Sequence, residues 1–333
     1  MIGLPDLEAA SRRVYAAMPP TPQYAWPLLS RRAGCEVWVK HENHTPTGAF
    51  KVRGGLNLLG TLAEAGELPR GVISATRGNH GQSLAFAARR HSIGCTIVVP
   101  HGNSPAKNRA MREWGAELVL HGRDFDEARL HAAALAGERG FRFVGPFERE
   151  LVAGVASYAL ELFRAVPPID RVYVPIGCGS GICGLIAARD ALGLSTEIVG
   201  VVSTSANAYA QSFAAGRAIE TATANTIADG MAVRVPVQAA LEAILKGAAG
   251  VVEVTDADVE EAMRICFDDT HQIAEGAGAA PLAALMNATD RAGKRVAVIL
   301  CGGNVDRDLY ARVLADRAGT RESSSRLASP AKA

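Results

Sequence analysis

Short runs rich in β-branched residues alternate with alanine-rich amphipathic stretches along most of this chain. That alternation limits its fold more than any other feature. "GVISA" (71–75), "CTIVVP" (95–100), "AELVL" (116–120), "RVYVPI" (171–176), "EIVGVV" (197–202) and "RVAVILC" (295–301) have the length and near-continuous apolar character of buried parallel strands. Between them "GQSLAFAARRHS", "AKNRAMREWG", "DFDEARLHAAALAGERG" and "GICGLIAARDALG" read as helices, several stopped by glycine. The pattern predicts an α/β protein with doubly wound sheets, whose sites lie beyond the carboxyl ends of strands. Glycine-rich turns follow three of those strands, 71–75, 171–176 and 295–301.

The 333 residues allow two ordinary domains or one large α/β unit, and 48% apolar with 21% charged residues is the mix of a soluble globular protein. A net charge of +1, with both signs interspersed, argues against nucleic acid or an anionic membrane as partner. No apolar run approaches a membrane span, and the N-terminus has no signal-peptide character. Six cysteines form no CxxC pair and lie mostly in apolar or glycine-rich stretches, as free thiols of a reducing cytoplasm do. These traits fit a cytoplasmic enzyme with a small-molecule substrate. Only the stretch after Arg317 has a disordered composition, and 321–333 is expected to be a disordered tail.

In "HENHTPTGAFKVRGG", Lys51 stands between Phe50 and Val52, before what reads as an Arg53-Gly54-Gly55 turn. The turn "GCGSGICG" contains GxGxxG at Gly179, Gly181 and Gly184, but Val202 and Ser203 stand where a dinucleotide site needs an acid. The turn still opens a helix, so its amides suit a single phosphate; otherwise it is a close-packed structural turn. In "TRGNHGQS", Thr76, Gly78, Asn79 and His80 stand at a helix N-terminus and form a carboxylate cradle, or else Asn79 is only a cap and His80 core packing. The third turn, "CGGN", places Cys301 at a strand end and Asn304 just beyond. A lysine, a phosphate loop and a carboxylate cradle together suit covalent chemistry on a phosphorylated aldehyde cofactor.

"HENHTPTGAFKVRGG", "SATRGNHGQSLAFAA", "VPIGCGSGICG", "TIADGMAV", "AEGAGAAPLAAL" and "LCGGNVD" occur in the order found in the serine/threonine dehydratase group of fold-type II pyridoxal-phosphate enzymes, which this chain resembles from about Thr21 to Leu309. The group also holds serine racemases and hydroxyaspartate dehydratases. The resemblance implies a large domain of residues 1–52 and 151–320, a mobile small domain of 53–150, and pyridoxal 5'-phosphate in the cleft between them. It implies a Schiff base on Lys51, which then takes the substrate's α-proton, with Phe50 against the cofactor ring and Asn79 on its 3-hydroxyl. Gly177, Cys178, Gly179, Ser180 and Gly181 would wrap the phosphate. Thr76, Arg77, Gly78, Asn79 and His80 would hold the substrate, with Glu275 and Gly230 in support. Glu275 is equally a helix-terminal charge favourable to the dipole. Cys301 would face the pyridine nitrogen, unless it is an inert buried thiol. A neutral thiol stabilises ring-borne negative charge less than an aspartate does, which favours expelling a β-substituent. The implied reaction is β-elimination from a β-hydroxy amino acid, giving a 2-oxo acid and ammonia, and the implied assembly is a homodimer.

Three departures from the group matter. Cys178 and Ser180 replace glycines, so the backbone there must avoid φ > 0 or accept strain. Arg77 stands where racemases of the group place a serine base, and an arginine that stays protonated is a poor proton acceptor. It pairs with a second acidic group on the substrate, such as that of a 3-hydroxyaspartate, or it points outward or meets a protein acid. Val202 and Asn207 or Ala208 occupy the positions of acidic metal ligands in some relatives, so no metal is expected there. A chain of this length leaves no room for a C-terminal isoleucine-sensing domain. The alternatives within the fold are a racemase or a β-replacement synthase; outside it, a non-catalytic ligand-binding protein.

Overall fold

The computed structural model describes residues 2–315, so the stretch expected to be a disordered tail lies outside the described residues. In chain order the strands are β1 (Gln23–Ala25), β2 (Glu36–His41), β3 (Gly71–Ala75), β4 (Gly94–Val99), β5 (Glu117–Leu120), β6 (Arg142–Phe143), β7 (Arg171–Pro175), β8 (Glu197–Ser203), β9 (Gly250–Val254) and β10 (Arg295–Leu300). They form a larger sheet, β1-β2-β10-β7-β8-β9, and a smaller one, β5-β4-β3-β6. Every pairing is parallel except that of β1 with β2, where Gln23 faces Lys40. The six expected strands are all present, each end within one residue of its expected place. Strands β1, β2, β6 and β9, which are short or carry charged residues, were not expected from the apolar pattern.

The expected turn at Arg53-Gly54-Gly55 is corrected by the structure: these residues lie inside a helix, Lys51–Glu64, which also runs unbroken through the expected domain boundary at 52/53. Two glycines cost an exposed helix about 1 kcal/mol each relative to alanine. Here neighbouring helices demand them. A Cβ on Gly54 would stand 3.0 Å from the Leu151 carbonyl oxygen, and one on Gly55 would stand 2.5 Å from Ser83 Oγ. Helices Asn79–Arg90 and Arg149–Ala165 therefore press directly on the lysine-bearing helix.

One apolar core joins β2, β7, β8 and β10 to their covering helices, a second with Leu84, Ile97 and Met111 covers one face of the smaller sheet, and a third with Ile73, Val98 and Ala132 covers the other. Behind the lysine helix lies a buried charge cluster. Arg53 donates to Glu42 (2.7 Å) and Glu161 (2.6 Å), and Lys40 donates to Glu161 (2.5 Å). All four side chains are buried. No described helix is long and apolar enough to cross a membrane.

Candidate active site

The three glycine-rich turns meet at the carboxyl ends of β3, β7 and β10, the place that strand topology favours for ligands. Backbone bonds bring Lys51 there. Phe50 N–H donates to the Cys301 carbonyl (3.0 Å) and Gly303 N–H to the Gly48 carbonyl (2.9 Å), which fastens the loop before Lys51 to the end of β10. Gly48 has a left-handed φ of +68° and lies so close to Asn304 that a Cβ would come within 2.7 Å of its amide. The resulting cleft, open to solvent, spans about 890 Å³ and is lined by Lys51 and Phe50, Thr76 to His80, Gly177 to Gly181, Gly230, Glu275 and Cys301, all candidate site residues of the sequence.

Lys51 is the first residue of its helix, and its Nζ donates to Ser180 Oγ at 2.7 Å. Burial holds its amine below the usual lysine range, and the Cys178 and Cys301 thiols only partly oppose that. The amine is thus closer to its nucleophilic neutral form than a surface lysine would be. The Phe50 ring stands edge-on to Tyr158, with Gly181 against it, and Tyr158 OH donates to the Gly181 carbonyl at 3.0 Å.

Loop 177–181 meets the conformational demand raised by its two substituted glycines. Only Gly179 takes a left-handed φ, +95°, while neither Cys178 nor Ser180 has positive φ. Gly177 is required for another reason, since a Cβ there would strike the Gly230 carbonyl at 2.2 Å. The N–H groups of Gly177, Gly179, Ser180 and Gly181 have no acceptor among the described residues. Four unspent amides at the start of helix Ser180–Ala191 fit a phosphate dianion.

At the turn after β3, Thr76 Oγ1 accepts from Gly78 N–H at 2.9 Å, and the amides of Arg77, Asn79 and His80 have no acceptor among the described residues. Burial, and then the Lys51 charge, push the His80 imidazole down to about 3, so it is neutral at working pH. Its Nε2 is buried without a partner among the described residues. Arg77 is half-buried, makes no hydrogen bond or ion pair with a described residue, and lines both this cleft and an adjoining outer chamber. Burial, and then the Glu275 carboxyl, push the Cys301 thiol well above its usual range. It stands as a neutral SH.

Sequence reasoning missed Lys107, and it quoted Asp229 without giving it a role. Lys107 reaches from helix Pro105–Glu113 to Asp229 (2.6 Å) and Glu275 (3.1 Å). The other oxygen of Glu275 accepts from the Asn79 amide (2.6 Å), whose own oxygen accepts from Asn304 (3.0 Å). The chain Lys107–Glu275–Asn79–Asn304 fixes which way the Asn79 amide faces. A Cβ on Gly78 would meet the Lys107 stem at 2.4 Å, so this glycine leaves room for the lysine. Local sequence around "SPAKNRAM" carries no sign that Lys107 is buried.

Burial pushes the Glu275 carboxyl up and Lys107 pulls against that push. A carboxyl whose folded pKa exceeds its unfolded one contributes stability below the unfolded value and loses it as pH rises through the folded value. Lys107→Met removes the opposing cation, so the loss deepens. The variant is expected to be about 1–3 kcal/mol less stable, with a larger deficit at about pH 8 than at about pH 5, read by urea denaturation at both.

Comparison with known proteins agrees with this geometry. Residues 14–302 match the pyridoxal-phosphate dependent enzyme family. An L-threonine ammonia-lyase of Thermotoga maritima is 34% identical over 94% of this chain and 78% of its own length. A solved T.th. threonine deaminase superposes with a TM-score of 0.84 at 31% identity, covering 91% of this chain and 99% of that one. A pyridoxal 5'-phosphate-dependent aspartate racemase gives 0.87 at 28% identity, covering 92% and 97%. A half-buried lysine with a lowered pKa, unspent phosphate-ready amides and a neutral thiol at the strand end suit that cofactor, and with 289 of its residues (14–302) matched, this chain belongs to the pyridoxal-phosphate dependent enzymes.

Proposed function

We propose that the chain is a dehydratase (ammonia-lyase) that converts a β-hydroxy amino acid of the L-threonine or L-serine type into a 2-oxo acid and ammonia. The observation that carries this is Lys51, a half-buried amine between a carboxylate-ready turn and a phosphate-ready loop. Bound pyridoxal phosphate supplies an aldehyde for an amine and a ring that spreads the negative charge left when Cα loses its proton. Lys51 would hold the cofactor, and its amine is the group placed to accept the Cα proton of a bound substrate. The amides of Gly177 to Gly181 hold the phosphate, while those at Thr76 to His80 hold the α-carboxylate. Asn79, fixed by Glu275 and Asn304, directs an N–H into the cleft. Cys301 would offer a neutral thiol to a ring bound in the cleft, and Gly230 supports the loop through its contact with Gly177. Residues 53–150 act as a small domain that closes the cleft against water.

A half-buried guanidinium at Arg77, in the wall of the cleft, is placed to meet a second carboxylate, which makes a 3-hydroxyaspartate the alternative substrate. It also weighs against racemisation, which needs a second base at the substrate. The enzyme is cytoplasmic, consistent with six free cysteines. It pairs as a homodimer, as the resemblance to the dehydratase group implies.

Borohydride reduction of the cofactor-loaded protein, followed by peptide mass analysis, is expected to place the cofactor on Lys51. 2-Oxo acid release is then measured for both enantiomers of serine and threonine and for the isomers of 3-hydroxyaspartate. Dehydration of none of them sinks the functional reading. Arg77→Ala is expected to lower kcat/KM for the diacid about 10-fold or more relative to threonine. An unchanged ratio would show that Arg77 does not read the side chain.

A further inference from the structure

The bond from Lys51 Nζ to Ser180 Oγ, at 2.7 Å, is the one hydrogen bond of this amine to a described residue. Both residues open helices, Lys51–Glu64 and Ser180–Ala191, so the bond joins two helix N-termini. Ser180 is fully enclosed at 1% exposure. Its backbone is pinned from both sides. Gly179 lies so close to Ala240 that a Cβ would come within 2.5 Å of it, and the Gly181 carbonyl accepts from Tyr158. The Ser180 N–H belongs to the set of unspent amides, so its side chain stands between the amine and the anion-ready loop.

No carboxylate among the described residues bonds to Lys51. The titratable groups that face it are the Cys178 and Cys301 thiols and the His80 imidazole. Across the same cleft, Lys107, Asp229 and Glu275 are engaged with one another. A Cys301 thiol held in its neutral form and a neutral imidazole leave Ser180 as the group in bonding contact through which a proton on Nζ can leave. A hydroxyl accepts and donates at the same time; glycine or alanine in its place can do neither.

We propose that Ser180 is the proton relay of this site, carrying the proton between Lys51 Nζ and the anion bound on loop 177–181. This rests on the reading of Lys51 as the base. In the forward step the Nζ–H bond breaks as a bond forms to Ser180 Oγ. The original Oγ–H bond breaks as its proton passes to an oxygen of the bound anion. Lys51 ends neutral, the anion ends one proton richer, the hydroxyl is regenerated, and no electrons are exchanged. The proton taken from Cα is thereby carried to the side of the site from which a departing β-hydroxyl can collect it. A second task follows from the same bond: in the cofactor-free protein, Ser180 holds the Lys51 ammonium.

The test uses Ser180→Ala, Ser180→Gly and Ser180→Thr. In the cofactor-free protein, the rate at which trinitrobenzenesulfonate labels Lys51 is followed against pH by peptide mass analysis. Loss of the acceptor is expected to speed labelling about 10-fold near neutral pH in the alanine and glycine variants, one pKa unit being a factor of ten. The threonine variant is expected to match wild type. Inorganic phosphate, used as the anion probe, is expected to change the labelling of wild type and leave Ser180→Ala unaffected. With cofactor saturating, kcat is expected to fall about 100-fold in Ser180→Ala, with KM within about 3-fold and recovery in Ser180→Thr. Labelling identical to wild type, or weaker cofactor affinity with unchanged kcat, would overturn the relay and leave Ser180 a phosphate donor only. Failure of the Lys51 reading is seen separately, as wild type that carries no cofactor on Lys51 after borohydride reduction.

Discussion

Lys51→Ala is expected to lower kcat/KM by at least about 10,000-fold, the upper range for loss of a single general base, because the same residue also anchors the cofactor. Folding is expected to survive. The side chain is half-buried, its amine has one hydrogen-bonded partner among the described residues, and alanine is well tolerated at the start of a helix. Stability should rise, since the wild-type protein keeps an amine where burial disfavours its charge. The sign of the pH dependence follows. The folded pKa of Lys51 lies below the unfolded one, so the unfolded chain binds more protons between those values and wild-type stability increases with pH there. Lys51→Ala lacks that slope, and its advantage should shrink as pH rises through this window toward the ordinary lysine pKa. Steady-state kinetics with the preferred substrate and urea denaturation at several pH values check both halves. A variant that keeps a tenth of its activity would remove Lys51 from the chemistry.

The parts of this site that were legible share one property: each is a run of consecutive residues. The lysine segment, the turn after β3 and the loop after β7 each bring their chemistry within a few positions, and strand ends bring the three together. What could not be read depends on distant packing. Lys107 comes from a helix beside the smaller sheet, and only the folded chain sets it against Asp229 and Glu275. Gly54 and Gly55 follow the local rule for a turn, yet they are the flat surface against which Leu151 and Ser83 pack. Strand β2, "EVWVKH", breaks the apolar pattern at Lys40 because the ammonium has carboxylate company inside the protein. Fold class needs only periodicity, whereas these details need a partner far along the chain.

That buried company sets the second large effect. Arg53→Met is expected to destabilise the protein by about 3–5 kcal/mol, the cost of breaking a buried ion pair from one side. Arg53 carries bonds to Glu42, Glu161, Ser157 and Thr21, and with Lys40 it balances two buried carboxylates. Burial alone works against the Arg53 charge, but Glu42 and Glu161 more than offset it and hold its pKa above the usual arginine range. Burial likewise works to raise the Glu161 carboxyl, yet Arg53 and Lys40 hold it below its ordinary range. A carboxyl with a depressed folded pKa contributes stability above its unfolded pKa and loses it as pH falls through the folded one. Wild type should therefore weaken in acid below the ordinary glutamate pKa, and Arg53→Met should show less of that loss because its Glu161 is no longer held as low. Urea denaturation of the cofactor-free proteins at neutral pH and at about pH 4 separates the two curves. Adding Glu42→Gln and Glu161→Gln to Arg53→Met is expected to recover part of the deficit, since neutral partners carry no uncompensated charge. If the triple variant is weaker than Arg53→Met by the sum of further independent losses, the cluster is not acting as a charge-balanced unit behind the lysine helix.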